Sequence, residues 1–321
     1  MGNRTFVVRS CRRILPLAIV LTVLSPSLRS EPFAIGKSER ELQVGSMTWH
    51  VQTYKANCHR DGPLVVVFHG SDHNPTLARD NAIPLAQAGC AVVVVPLFDE
   101  ARFPRWAYQF GGLGDPVEDN GRKHFRLKPR ERRTGQLVLD LIEALRAEEG
   151  RPGMAYSLIG HSAGAQFLGR FAAFFPNEAR RIVLANPGSY VLPTWERKYP
   201  YGFGGLTVVT DSDRERYLGS PVVILLATRD IKRDGLDKSS GAERQGSTRY
   251  ERGRAAYQFG EVKAMADGLR FGWSLMEVPG LGHGSGRLYA RPETAVALFG
   301  PCVGAALTTL AACRHQFVGN Q

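Results

Sequence analysis

The sequence predicts an α/β fold, a mostly parallel twisted sheet of about eight strands with helices on both faces and loop insertions at the face that carries the site. Three observations predict it. Residues 63–68 (PLVVVF), 91–96 (AVVVVP) and 221–227 (PVVILLA) are short runs, apolar throughout and rich in β-branched residues, the pattern of strands buried on both faces of a parallel sheet. Stretches with apolar residues at helical spacing lie between such runs, at 76–89 and at 134–149. In YSLIGHSAGAQFLGRFAAFFP, residues 156–176, an apolar strand breaks at a glycine-bounded turn and resumes at once as a helix carrying Phe167, Leu168 and Phe171.

The chain has 321 residues, enough for a large core in one α/β domain, and its 43% hydrophobic and 22% charged content excludes wholesale disorder. Residues 1–30 read as an export signal, with Arg4, Arg9, Arg12 and Arg13 ahead of the apolar run 14–24 and small residues after it, so cleavage is expected after Ser27 or Ser30. The alternative, an uncleaved anchor, has a short apolar run for a span. The mature chain, 31–321, is read as a single domain. Residues 1–30 hold five arginines and no acid, so their removal lowers the net charge from +11 to +6 and weakens any nucleic-acid reading. Much of the remaining basic charge sits at 122–133 (RKHFRLKPRERR), either a solvated loop face or a contact for an anionic surface or substrate. Cys58, Cys90, Cys302 and Cys313 remain after cleavage and allow two disulfides in three connectivities. The favoured pair is Cys302–Cys313, with Cys90 alternatively a packed thiol. No Cys/His spacing suggests a metal site.

Taken in order, residues 40–56 alternate about Gly45-Ser46 and read as a β-hairpin. The strand at 63–68 ends in His69-Gly70-Ser71-Asp72-His73, a helix follows at 76–89, and a strand at 91–96 completes a parallel crossover. Residues 98–133 are too long for a plain connection. Their Phe103, Trp106, Tyr108 and Phe110 either line a substrate pocket or form a satellite cluster folding the loop onto the body. After the helix at 134–149 and the strand–turn–helix come a strand at 181–185 and an aromatic, glycine-rich segment at 189–219, a candidate cap. The strand at 221–227 delivers Asp230, residues 238–254 read as a polar loop, and a helix is expected at 255–269. The last strand, 271–278, leads through glycines to His283. Residues 295–313 carry no charge, yet Gly300-Pro301 divides them, so they read as a buried terminal helix and a further piece rather than a span.

The serine of G-H-S-A-G sits where the backbone must strain, between neighbours that must be small, with the Ala163 N–H directed to the same point from a helix start. This turn resembles the nucleophile elbow of the α/β-hydrolases, and HGSDHN, TRD and LGHG occupy the positions that superfamily uses. More narrowly, the segments around His69, RDNAIPLAQ and PLFDEARFP resemble exported bacterial serine esterases of the poly(3-hydroxybutyrate) depolymerase and feruloyl esterase group. The resemblance implies an α/β-hydrolase fold and a triad of Ser162, His283 and Asp230, in the family's chain order, with Asp234 the runner-up acid and Asp211 or Asp213 behind it. It implies an oxyanion hole from the backbone N–H groups of Ala163 and Ser71, and His69 bonding loop backbone. It also implies hydrolysis of a small or oligomeric carboxylic ester with no cofactor, nucleic-acid partner or stable membrane insertion. A serine peptidase or acyltransferase with the same triad, and a catalytically silent binding protein, are the competing readings.

Overall fold

The apolar runs pair into one eight-stranded sheet in the order β1-β2-β4-β3-β7-β8-β9-β10. The structure is a computed structural model and describes residues 1–2, 32–59 and 61–301. The export signal, but for its first two residues, and the Cys302–Cys313 pair lie outside the described residues. β1 (Gly36–Val44) and β2 (Met47–Lys55) form the expected antiparallel hairpin, and β2 also runs antiparallel to β4 (Val92–Pro96). The remaining pairings are parallel, through β3 (Leu64–Phe68), β7 (Tyr156–His161), β8 (Ile182–Ala185), β9 (Val222–Ala227) and β10 (Ser274–Val278).

Alternation along each central strand sends side chains into two cores. Leu64, Val66 and Phe68 of β3 face the layer built by α2 (Thr134–Glu148), α3 (Ala163–Phe174) and α6 (Arg249–Ala266). Val65 and Val67 face the layer of α1 (Pro75–Gly89), α7 (Ser285–Tyr289) and α8 (Pro292–Phe299). All five residues are completely buried; at about 25 cal/mol per Å² of apolar surface, each contributes on the order of 1.5–3 kcal/mol. Among the described residues no helix is long and apolar enough to cross a membrane.

Three regions differ from the sequence expectation. The basic segment is not a plain loop: β5 (Gly114–Asp119) and β6 (Arg122–Leu127) form an antiparallel hairpin, closed by Asn120-Gly121 with φ of 52° and 72°. A two-residue Asn-Gly turn is a strong hairpin signal, outweighed in the sequence by the surrounding charge. α6 begins at Arg249, earlier than expected, because Thr248 accepts the Glu251 N–H and Glu251 returns a bond to the Thr248 N–H. α4 (Asp211–Leu218) precedes β9, and the short α5 (Ser240–Glu243) lies between β9 and α6. Among the described residues Cys58 and Cys90 form a disulfide, with Cα atoms 5.8 Å apart, so Cys90 is not the packed thiol that the sequence left as an alternative. Cys90 ends α1 in a left-handed conformation, and that turn presents its side chain to the segment following β2.

Candidate active site

The elbow depends on two close crossings. A Cβ on Gly160 would lie 2.4 Å from the Gly164 carbonyl carbon, and one on Gly164 would lie 2.3 Å from the Phe68 carbonyl oxygen. Only hydrogen fits either place, so β7, α3 and the end of β3 pass at backbone distance. Ser162, between them, has φ 55° and ψ −109°, and its N–H is held by the Ala185 carbonyl at 3.0 Å. This left-handed backbone is costly for a residue with a side chain and lifts Ser162 out of the sheet.

His283 and Asp230 arrive from neighbouring strand ends. Thr228 N–H bonds the Val278 carbonyl, Arg229 N–H the Leu281 carbonyl, and Gly280 N–H the Thr228 hydroxyl, so the loops after β9 and β10 are laced together. The outcome is one hydrogen-bonded run. His283 Nδ1–H donates to Asp230 Oδ2 at 2.6 Å, and the other ring nitrogen, Nε2, lies 3.1 Å from Ser162 Oγ and can accept its proton. Asp230 is 1% exposed and its Oδ1 has no hydrogen-bond partner; the Arg249 guanidinium stands 3.6 Å away. Asp234 gives only its carbonyl to Arg249, and Asp213 caps α4 through Thr210, so neither carboxylate meets His283.

The surrounding histidines have separate duties. His69 is buried and bonds loop backbone on both sides: Nδ1 to the Gly70 carbonyl at 2.8 Å, Nε2 to the Phe98 N–H at 3.0 Å. Burial holds its pKa below the ordinary value. His73 Nδ1 donates to the Phe98 carbonyl at 2.6 Å, tying the β3 loop to the end of β4. His161 packs against His283, ring centroids 4.6 Å apart. Burial, with the charges of His283 and Arg249, pushes its pKa down to about 3, so its ring stays neutral.

Two clefts meet at Ser162 and Ser71. The first, of about 280 Å³, is bordered by His283, Ser285, Asn81, Asp72 and Leu77. The second, of about 200 Å³, is bordered by Ala163, Arg105, Gln109, Gln166, Asp237 and Arg249. Trp106, Tyr108 and Phe110, the sequence candidates for a pocket, border neither. Tyr108 is a core residue, stacked at 4.5 Å on Phe98 with its hydroxyl on the His69 carbonyl. Trp106 points outward to Asp115, and the Phe110 ring carries the Arg105 and Arg170 guanidinium groups. The tight turns of this excursion instead aim Arg105 and Gln109 at the second cleft. Nor does segment 189–219 border either cleft. Its Tyr199 and Phe203 pack on Phe174 of α3, and Arg170, fully buried, clamps it by donating to the Ser189 and Pro200 carbonyls. The loop after β9 takes that place through Gly235, Leu236 and Asp237, just ahead of the segment 238–254 read from sequence as a polar loop. Gln166 also went unnoticed, although a residue one helical turn past Ser162 shares its face.

This sheet order and elbow define a class, and comparison with solved structures agrees. No family model and no curated protein matches the chain. It is similar to the poly(3-hydroxybutyrate) depolymerase LpqC of Bordetella parapertussis, with 30% identity over 87% of this chain and 95% of that one, at a TM-score of 0.75. It is also similar to poly(aspartic acid) hydrolase-1 of Sphingomonas sp. KT-1, with 27% identity over 82% of this chain and 98% of that one, at a TM-score of 0.74. The chain belongs to the α/β-hydrolase superfamily, and it is a hydrolase.

Proposed function

We propose that the chain cleaves carboxylic esters with Ser162 as nucleophile, through an acyl-enzyme. His283 Nε2 takes the Ser162 proton as Oγ attacks the carbonyl; Asp230 holds the imidazole in the tautomer that leaves Nε2 free and offsets its positive charge. The Ala163 and Ser71 N–H groups receive the oxyanion. His283 returns the proton to the departing alcohol, and water then releases the acyl group by the same route. The observation that carries the reading is the unbroken run Ser162–His283–Asp230, at 3.1 and 2.6 Å.

A fluorophosphonate probe tests it. The wild-type protein is expected to label at one serine and to cleave a chromogenic ester, and Ser162→Ala to lose both; labelling that survives the substitution, or no labelling of the wild type, would sink the reading. An amide substrate run beside the ester addresses the second reading, favoured by the relative that hydrolyses poly(aspartic acid). A catalytically silent protein would show no labelling of Ser162 and would turn over neither substrate. Export accords with the leader at 1–30 and with the Cys58–Cys90 disulfide, which persists in an oxidising compartment. N-terminal sequencing of the exported protein is expected to begin at Leu28 or Glu31.

A further inference from the structure

The two clefts at Ser162 are unlike, and the proposed chemistry assigns each a side of the scissile bond. His283 must hand its proton to the leaving oxygen, so the alcohol departs along the cleft that His283 borders. The acyl group is left with the second cleft, of about 200 Å³, which starts at Ala163.

That second cleft holds hydrogen-bond donors left without a protein partner among the described residues. Gln166 is buried and spends its Oε1 on the Ser189 hydroxyl at 2.8 Å, while its Nε2 has no partner among the described residues. The side chain of Gln109 has none either. Arg249, 4% exposed, is already committed, its Nη1 and Nη2 donating to the Lys232 and Asp234 carbonyls. Arg105 lies across the Phe110 ring at 4.8 Å and makes one ion pair, Nη2 to Asp237 at 2.9 Å, leaving its other N–H groups open. The acid in the cleft is already satisfied: Asp237 accepts from Arg105, from the Tyr201 hydroxyl at 2.6 Å and from the Ser239 N–H at 2.9 Å. Its pKa is held below the ordinary value by those bonds against the opposing effect of burial. The buried Gln166 amide is costly to leave unpartnered, and beside the half-exposed Arg105 an acceptor carrying negative charge gains most.

We propose, resting on the triad reading above, that the second cleft is the acyl subsite and selects acyl groups ending in a carboxylate, such as half-esters of short dicarboxylic acids. Arg105 supplies the charge, at the open end of the cleft, and the amides of Gln109 and Gln166 fix the carboxylate's direction.

Three methyl esters of equal shape decide it, followed in a pH-stat: monomethyl glutarate, methyl 5-oxohexanoate and methyl 5-methylhexanoate, which end in an anionic acceptor, a neutral acceptor and no acceptor. The expected kcat/KM for the glutarate is about tenfold above the other two, carried by KM and eroded by added NaCl. Arg105→Gln is expected to remove the preference, and Arg105→Lys to restore part of it. Turnover of all three at equal rates, a ketone as good as the carboxylate, or a preference untouched by Arg105→Gln overturns the inference and leaves the triad standing. No turnover of any ester, with no labelling of Ser162, overturns the triad reading and the inference with it.

Discussion

His161 lies directly beside Ser162, the proposed nucleophile, in sequence and faces His283, yet the fold keeps it uncharged. The unfolded chain binds a proton there below about pH 6.5, whereas the folded chain, with a pKa of about 3, does not, so stability falls as acid is added through that window. By pH 4.5 the single residue removes about 2 to 3 kcal/mol relative to pH 7. Urea unfolding at the two pH values checks this: His161→Gln is expected to lose less stability on acidification than the wild type, by about that amount. Equal losses would mean that other groups set the acid limit. His69, whose pKa is lowered chiefly by burial, adds in the same direction and bounds how flat the variant's profile becomes.

At the scale of elements, the elbow stands on glycines for which no other side chain has room. Gly160→Ala would drive a methyl group into the backbone of Gly164 at 2.4 Å, where no side chain can swing aside. The expected result is a loss of about 3 kcal/mol or more in the urea midpoint, with catalysis falling as Ser162 shifts. The same elements show how far the sequence could be read. Strands buried on both faces announce themselves by unbroken valine runs, and the elbow by its glycines, so β3, β4, β7 and β9 and the placement of Ser162, Asp230 and His283 were legible. The loops were not, because their composition does not say which way they fold. Aromatic residues at 103–110 suggested a pocket, but turn geometry buries Tyr108 and presents Arg105. Segment 189–219 suggested a cover, but the buried Arg170 draws its carbonyls back onto α3. Polarity hid the α6 start behind Thr248 and Glu251, although their spacing is a helix-entry signal.

Across the whole molecule, the Cys58–Cys90 bond ties the exit of the β1–β2 hairpin to the far end of α1, across 32 residues. Closing a loop of that size removes freedom from the unfolded chain worth about 3 to 4 kcal/mol. Cys58→Ser/Cys90→Ser is therefore expected to unfold at a lower temperature while keeping its ester turnover at 25 °C, since neither cysteine borders a cleft at Ser162. Calorimetry beside a rate assay checks both parts; an unchanged melting temperature would mean that the unfolded state is already compact.

The sheet ends at β1, whose outer rim has no strand beside it among the described residues. Lys37, Glu39, Arg40 and Glu41 punctuate that rim, and a strand from another copy pairing there would have to strip water from their charges. The charged margin thus works as a fence against strand-to-strand pairing with a second copy at this edge.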